Sequence, residues 1–168
     1  VGYIKTMVNP KINWLFDTEP EDNLGGRQIP VPRGKVLGGS SSINGMIYVR
    51  GQARDYDIWG QMGNRGWSYS DVLPYFKRSE NRETGGDEFH GAGGPLNVAD
   101  PTVSYPLLDT IIDAAEETGY PRNPDYNGAD QEGFSYYQLT QKNGRRFSAK
   151  AAYLDPVRNR PNLHVQPY

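Results

Sequence analysis

Cysteine is absent from the 168-residue chain, which excludes disulfide bonds and metal sites built on thiolates. Histidine is scarce: only His90 and His164 are present, and neither has a second ligand at a spacing typical of zinc or iron sites. The lack of cysteine fits a reducing compartment, and a cytoplasmic location is the default expectation. We therefore expect no metal centre in this chain.

An excess of charge of either sign is also missing. The 18 basic residues nearly balance the 20 acidic ones, which leaves a net charge of −2 and no strong field for nucleic acid or an anionic membrane. No apolar run approaches the roughly 18 residues of a membrane-spanning helix, and the first residues show no signal-peptide pattern. We therefore expect neither nucleic acid nor a membrane as a partner.

Several motifs of nucleotide-binding and hydrolytic enzymes are not found. The sequence has no phosphate-binding loop ending in Gly-Lys-Ser/Thr and no Gly-x-Gly-x-x-Gly after a strand. The Gly-x-Ser-x-Gly elbow of the hydrolases is missing too. His90 lies in a glycine-rich loop and His164 in a predicted strand, so both favour a structural role over catalysis. We expect neither a nucleotide site built wholly from this chain nor a serine hydrolase.

The patterns that are present predict a folded, loop-rich chain of mixed α/β type. Its 20 glycines and 13 prolines make up about 20% of the residues, below the roughly 25–30% of disordered sequences. Helices are predicted over residues 40–48, 55–62, 72–79, 106–118 and 148–154, from apolar positions at three- and four-residue steps. Strands are predicted over residues 13–18, 28–32, 134–140 and 163–166, the first two forming a hairpin.

One stretch, GKVLGGSSSINGMIYVRG over residues 34–51, places two adjacent glycines and three serines ahead of an apolar segment. Glycines before a helix leave backbone N–H groups uncovered, and an anion such as a pyrophosphate is attracted there. A tight turn followed by a helix cap is the alternative that these residues leave open. Gly45 would weaken the predicted helix by about 1 kcal/mol relative to alanine, which suggests that something needs the space.

The longer stretch from Gly34 to Asp57 resembles the first signature of the glucose–methanol–choline (GMC) oxidoreductases, which are FAD-dependent alcohol oxidases and dehydrogenases. The later segments GWSYSDVLPYFKRSE, FHGAGGPLNV, NGADQEGF, NGRRFSAKAAYL and RPNL follow in the order seen in bacterial choline-dehydrogenase-like or alcohol dehydrogenase members. The resemblance covers nearly the whole chain.

The resemblance implies a partial FAD-binding domain of GMC type with mixed α/β structure. Residues 1–168 would form a single partial domain, made of the flavin-contacting portion and the start of the substrate-domain elements. Family members are much longer than this chain. They begin with a Rossmann βαβ motif and carry a His–His or His–Asn catalytic pair near the C-terminus, and the chain resembles an internal piece that lacks both. No catalytic residue is therefore expected here, and the isolated chain is expected to be inactive.

The resemblance also implies a set of cofactor-binding residues in the glycine-rich stretch. Those implied to contact the pyrophosphate and ribityl part of FAD are Gly38, Gly39 and Ser40. Those implied to lie beside the isoalloxazine ring are Asn44, Gly45, Met46 and Ile47. Some relatives attach FAD covalently through a histidine at the position of Ile43, and isoleucine cannot form that bond. A non-covalent FAD is therefore expected.

The activity implied by the resemblance is oxidation of an alcohol, in which a histidine base takes a proton and hydride passes from carbon to flavin N5. The expected partners are a small-molecule alcohol, an electron acceptor that is oxygen or a quinone or other carrier, and the remainder of the same enzyme. A GMC-type lyase acting on cyanohydrins and a light-driven decarboxylase are alternatives. A truncated, non-catalytic fragment is another.

Overall fold

The computed structural model describes residues 2–167 and divides into two compact units. The first unit joins the segment up to Met46 with the segment from Arg146 onward, and the second is Ile47–Arg145. Helices and short strands are mixed in the chain, which confirms the predicted α/β class. None of the helices formed by residues 2–167 combines the length and the apolar character needed to cross a bilayer.

The first unit contains an antiparallel hairpin of strands β1 (Phe16–Asp17) and β2 (Pro30–Val31), which confirms the predicted hairpin. It is shorter than predicted, because the side chain of Asn13 replaces regular strand pairing. Its Oδ1 accepts hydrogen bonds from the backbone N–H groups of Leu15 and Arg33, at 3.1 and 2.9 Å. The other elements of this unit are short helical turns: Gly2–Thr6, Asp22–Leu24, Gly39–Ser42, Lys150–Leu154 and Asp155–Val157.

The second unit contains the three α-helices, α1 (Ala53–Gln61), α2 (Tyr69–Ser79) and α3 (Pro106–Glu117). They confirm the predicted helices, with bounds that differ by up to three residues. Helices α1 and α2 begin in the same way: a carboxylate in the first turn accepts a hydrogen bond from the backbone N–H of the N-cap residue, three positions earlier. Asp55 accepts from Gln52 and Asp71 accepts from Ser68, each at 3.1 Å.

Two pairs of short strands complete the description. Strands β3 (Glu80–Arg82) and β4 (Leu96–Val98) run parallel in the second unit. Strands β5 (Gln141–Lys142) and β6 (Arg145–Arg146) form a hairpin that turns at Asn143 and Gly144. Both turn residues have positive φ, as a two-residue hairpin turn of type I′ requires. Among the described residues, the buried apolar side chains are Val98, Ala99 and Ile112 in the second unit and Ile43 and Ala152 in the first.

The predicted helix over residues 40–48 is wrong, because the helical turn covers only Gly39–Ser42. The backbone N–H of Met46 donates to the side chain of Asn44 instead of to a helical carbonyl, at 3.0 Å. The carbonyl of Ser41, which the next turn would need, accepts a hydrogen bond from Arg146. Met46 itself has a φ of +67°, which no right-handed helix contains. The argument that Gly45 weakens a helix therefore no longer applies.

Other predictions need correction in the later part of the chain. No regular strand forms over 134–140, where Phe134 and Leu139 make only isolated bridges. The described part of the chain has no strand over 163–166 either. The N-cap position of α3 is occupied by Tyr105, whose backbone N–H donates to the hydroxyl of Tyr136 at 3.1 Å. The predicted helix over 148–154 is confirmed, although it is a π-helical turn over Lys150–Leu154.

Candidate cofactor site

The glycine-rich loop of residues 34–46 contains four glycines, and three of them, Gly34, Gly38 and Gly39, differ in the space around the position that a Cβ would take. A Cβ at Gly34 would lie 2.2 Å from the carbonyl oxygen of Gly39, and a Cβ at Gly38 would lie 2.6 Å from Ser42 Oγ. These two glycines are therefore needed for the packing of the loop itself. Gly39 has a φ of +56° and no atom within 4 Å of the place where its Cβ would be. The main chain is thus bare and open at Gly39.

The three serines that follow differ in the use of their hydroxyl groups. Ser41 Oγ donates to the carbonyl of Gly38 at 2.5 Å and accepts from the backbone N–H of Ala149 at 2.9 Å. Ser42 Oγ donates to the carbonyl of Leu37 at 2.9 Å. Ser40 Oγ accepts from the backbone N–H of Gly34 at 3.1 Å, and residues 2–167 offer no acceptor for its proton. Only the Ser40 hydroxyl is left to donate to a ligand.

Arg146, at the end of β6, binds the loop through three hydrogen bonds. Its Nη1 donates to the carbonyl of Ser41 at 3.0 Å and to Asn44 Oδ1 at 2.7 Å. Its Nη2 donates to the carbonyl of Asn44 at 2.6 Å. Partial burial lowers the pKa of the Arg146 guanidinium. The segment NGRRFS contains two adjacent arginines, Arg145 and Arg146. The sequence does not indicate which of them contacts the loop.

Asn44 has an exposed side chain whose two polar ends are used differently. Its Oδ1 accepts from Met46 N–H at 3.0 Å and from Arg146 at 2.7 Å. Its Nδ2 has no acceptor within the described chain. Met46 is held with a positive φ, which is uncommon for a residue other than glycine. The loop therefore presents an amide donor next to a constrained backbone.

Six of the seven predicted cofactor-binding residues lie in this loop of the first unit: Gly38, Gly39, Ser40, Asn44, Gly45 and Met46. The seventh, Ile47, begins the second unit, where its backbone forms a bridge with Leu139. The open main chain at Gly39 and the free donors of Ser40 and Asn44 are what a cofactor with many acceptor atoms requires. The residues present therefore fit such a cofactor.

A second candidate, a cluster of buried charges, lies in the second unit. Glu80 is fully buried; its Oε2 accepts from Arg50 at 2.7 Å and from the backbone N–H of Gly91 at 2.8 Å. His90 lies between two carboxylates, with Nδ1 3.1 Å from Glu80 Oε1 and Nε2 2.9 Å from Asp125 Oδ2. Both ring nitrogens are occupied and the ring is buried, so His90 is not placed to act on a substrate.

Opposing effects set the pKa values in this cluster. Burial lowers the pKa of His90, but the hydrogen bonds to Glu80 and Asp125 outweigh burial and raise it above its usual value. Burial raises the pKa of Asp125, and the hydrogen bond to His90 together with the charge of Arg82 brings it below its usual value. The arrangement favours a charged imidazolium between two carboxylates, which is a structural role, as the sequence suggested for His90.

Two solved structures place this fold in the class of flavin-dependent oxidoreductases. Pyridoxine 4-oxidase from Mesorbium loti superposes with a TM-score of 0.85 and 35% identity, covering 91% of this chain and 31% of that chain. An FAD-dependent oxidoreductase from Chaetomium thermophilum superposes with a TM-score of 0.86 and 31% identity, covering 95% of this chain and 30% of that chain.

Within that class, the family model described as GMC oxidoreductase matches residues 11–167, and the chain belongs to this family. Oxygen-dependent choline dehydrogenase from Brucella anthropi is 54% identical over 153 residues, which is 91% of this chain and 28% of that protein. Oxygen-dependent choline dehydrogenase from Sinorhizobium fredii is 50% identical over 155 residues, which is 92% of this chain and 28% of that protein. The chain thus spans about 28% of the length of these relatives, which confirms the predicted family and the predicted partial domain.

Proposed function

We propose that this chain supplies part of the FAD-binding surface of an enzyme that oxidises an alcohol to an aldehyde or ketone. The family and its relatives, described as choline dehydrogenases and a pyridoxine oxidase, support this activity. The observation that carries the proposal is the open left-handed backbone at Gly39, flanked by the unused donors of Ser40 and Asn44. FAD, when bound, accepts the hydride at N5 and passes two electrons to an acceptor.

The residues of the loop have distinct proposed tasks. Gly38, Gly39 and Ser40 contact the pyrophosphate and ribityl part through bare main chain and a hydroxyl donor. The residues that line the isoalloxazine ring are Asn44, Gly45, Met46 and Ile47. Ile43 carries only an aliphatic side chain, so the cofactor is held without a covalent bond. The chain therefore binds and orients the cofactor, and the group that accepts the alcohol proton lies elsewhere in the enzyme.

The remaining partners follow from the same proposal. The substrate is a small-molecule alcohol, and the electron acceptor is oxygen or a quinone or other carrier. The remainder of the same enzyme supplies the catalytic base, and we propose a cytoplasmic location. In this proposal residues 1–168 form one partial domain, the first unit carrying most of the flavin contacts and the second unit the start of the substrate-domain elements.

The cofactor role is tested by Gly39→Ala in the intact enzyme, with Gly26→Ala as the matched control. Both glycines have positive φ and open space around the missing Cβ, so alanine strains each backbone by roughly 1–2 kcal/mol. Gly26 lies in the turn between β1 and β2, outside the loop. We expect Gly39→Ala to lower FAD affinity and Gly26→Ala to leave it unchanged, as measured by flavin fluorescence. Equal affinities in the two variants would contradict the cofactor role of Gly39.

The reaction type is tested by adding alcohols to the intact enzyme in the absence of oxygen. Hydride transfer from an alcohol bleaches the visible absorption of the oxidised flavin. The expected result is bleaching by at least one small alcohol. A flavin-loaded enzyme that no alcohol bleaches would exclude alcohol oxidation and favour the lyase or the light-driven decarboxylase.

A further inference from the structure

We propose that Arg146 is a positioning residue that holds the carboxamide of Asn44 with its NH₂ group directed to acceptor atoms of the flavin ring. This inference rests on the proposed function, because it names a contact of the same site. It assigns to Arg146 a specific task, which the NGRRFS pattern alone did not indicate. Arg146 itself touches the protein loop and acts on the cofactor only through Asn44.

The orientation of the Asn44 carboxamide is fixed by the two hydrogen-bond donors that face its oxygen atom. Its Oδ1 receives two donors, Met46 N–H at 3.0 Å and Arg146 Nη1 at 2.7 Å. A rotation of the amide by half a turn would place the NH₂ group against both of these donors. Neither donor can accept a hydrogen bond, so this orientation is unfavourable. The NH₂ group must therefore point the other way, where no protein acceptor within residues 2–167 meets it.

The guanidinium also fixes the main chain that carries Asn44. It binds the carbonyl of Ser41, inside the helical turn Gly39–Ser42, and the carbonyl of Asn44, just after that turn. A planar guanidinium reaches several acceptors at once in a fixed geometry, which a lysine ammonium does not reproduce. Without Arg146, Asn44 Oδ1 would keep only Met46 N–H, and the side chain would gain rotational freedom.

A fixed donor influences the reduction potential of the ring that it faces. Reduction places negative charge on the flavin ring, and a hydrogen bond to a charged acceptor is stronger than one to a neutral acceptor. The Asn44 donor therefore stabilises the reduced state more than the oxidised state. Loss of the donor, or of the residue that aims it, shifts the reduction potential of the bound flavin to a more negative value.

The test uses the intact, FAD-loaded enzyme with the variants Arg146→Ala, Asn44→Ala and the double variant. Arg145→Ala is the matched control, because Arg145 is an exposed neighbour on the same strand. The readouts are the flavin reduction potential, from titration with dithionite, and the visible absorption spectrum. We expect Arg146→Ala and Asn44→Ala to lower the potential, the double variant to match Asn44→Ala, and Arg145→Ala to match the wild type.

Arg146→Lys covers the case in which Arg146→Ala does not retain FAD. A lysine restores the charge and one donor, and we expect a potential between those of wild type and Asn44→Ala. Wild-type potential and spectrum in Arg146→Ala, or in Arg146→Lys where alanine abolishes binding, would overturn the proposal, as would additive shifts in the double variant. Dithionite reduces the flavin without any alcohol, so this outcome is independent of whether the alcohol oxidation proposal holds.

Discussion

The imidazole Nδ1 of His90 lies 3.1 Å from Oε1 of Glu80, and both side chains are fully buried. The other carboxylate oxygen of Glu80 is bound by Arg50 and by the backbone of Gly91. One carboxylate at the start of β3 thus ties together a segment before α1 and the loop that carries His90. The second unit has few buried apolar side chains among its described residues, and the charged side chains of Arg50, Glu80 and His90 are among its buried groups.

Glu80→Gln is expected to destabilise the enzyme strongly. The substitution removes the charge that compensates Arg50, whose side chain is only 3% exposed. Removal of one partner of a buried ion pair costs about 3–5 kcal/mol of unfolding free energy, because the other charge stays buried without compensation. Thermal or denaturant unfolding of the intact enzyme measures the effect.

Asp113→Asn is the matched control for this prediction. Asp113 also pairs with an arginine, Arg122, but its side chain is 62% exposed. Solvent screens such a pair, so we expect little change in stability. Similar losses in the two variants would show that burial does not decide the strength of these ion pairs.

The stability of the second unit is expected to fall as the pH rises above neutrality. The hydrogen bonds from His90 to Glu80 and Asp125 raise its pKa above the unfolded value of about 6.5 despite burial. The stabilisation is therefore complete below that value and is lost as the pH passes through the raised folded pKa. Arg50 and Arg82 also face these carboxylates, Arg50 at Glu80 and Arg82 at Asp125. Urea unfolding of the intact enzyme across this pH range measures the loss.

The pH effect is assigned to one side chain by comparing two histidine variants. His90→Gln is expected to remove the decline with pH, at the expense of lower stability at acidic pH. His164→Gln is the control, because His164 is exposed and lies outside the cluster. A decline that persists in His90→Gln, or that disappears in His164→Gln, would show that another group titrates.

Gly34→Ala is expected to disrupt the cofactor loop. Its Cβ would lie 2.2 Å from a backbone oxygen of Gly39, which cannot move without changing the loop. We expect lower thermal stability and reduced FAD content. Gly60→Ala is the control, because the nearest atom to its Cβ is 3.5 Å away and Gly60 lies in α1. An alanine there should stabilise the enzyme by about 0.5–1 kcal/mol. Full FAD content in Gly34→Ala would show that the loop tolerates a side chain at this point.

The isolated 168-residue chain is expected to bind FAD weakly. It spans about 28% of the length of its relatives, and large aromatic side chains such as Trp59, Trp67 and Tyr75 are exposed in the second unit. Flavin fluorescence titration of the chain, compared with the intact enzyme, measures the difference. Stoichiometric, tight binding by the chain alone would contradict both this prediction and the view that the rest of the enzyme completes the site.

Local sequence patterns predicted the elements that local forces determine. Helix α3 follows from the apolar positions Leu107, Leu108, Ile111 and Ile112 at helical spacing, and its end from Gly119. The helix predicted over 40–48 had the same spacing, but a side chain about a hundred residues away ended it. Tertiary contacts of this kind override propensity and leave no trace in a short window of sequence.

The glycine-rich backbone of the candidate site could be predicted from the sequence, but the distant side chains that hold it in place could not. Glycine and serine patterns predicted the loop at Gly38–Ser40, because bare backbone is visible in the residue types themselves. Arg146 and the cluster of Glu80, His90 and Asp125 join residues that are far apart in sequence, and one sequence without relatives carries no signal for such pairs. The hairpin turn at Asn143–Gly144 could have been predicted, because Asn-Gly is a strong hairpin signal.

The hydrogen bonds between Arg146 and Asn44 join residues that are 102 positions apart, and this separation has a consequence for biosynthesis. A ribosome adds about 5–20 residues per second, so roughly 5–20 s pass between the emergence of Asn44 and that of Arg146. During that interval the nascent loop lacks the clamp that gives it its final shape. The β5–β6 hairpin must therefore be translated before the hydrogen bonds of Arg146 can fix the conformation of residues 41–44.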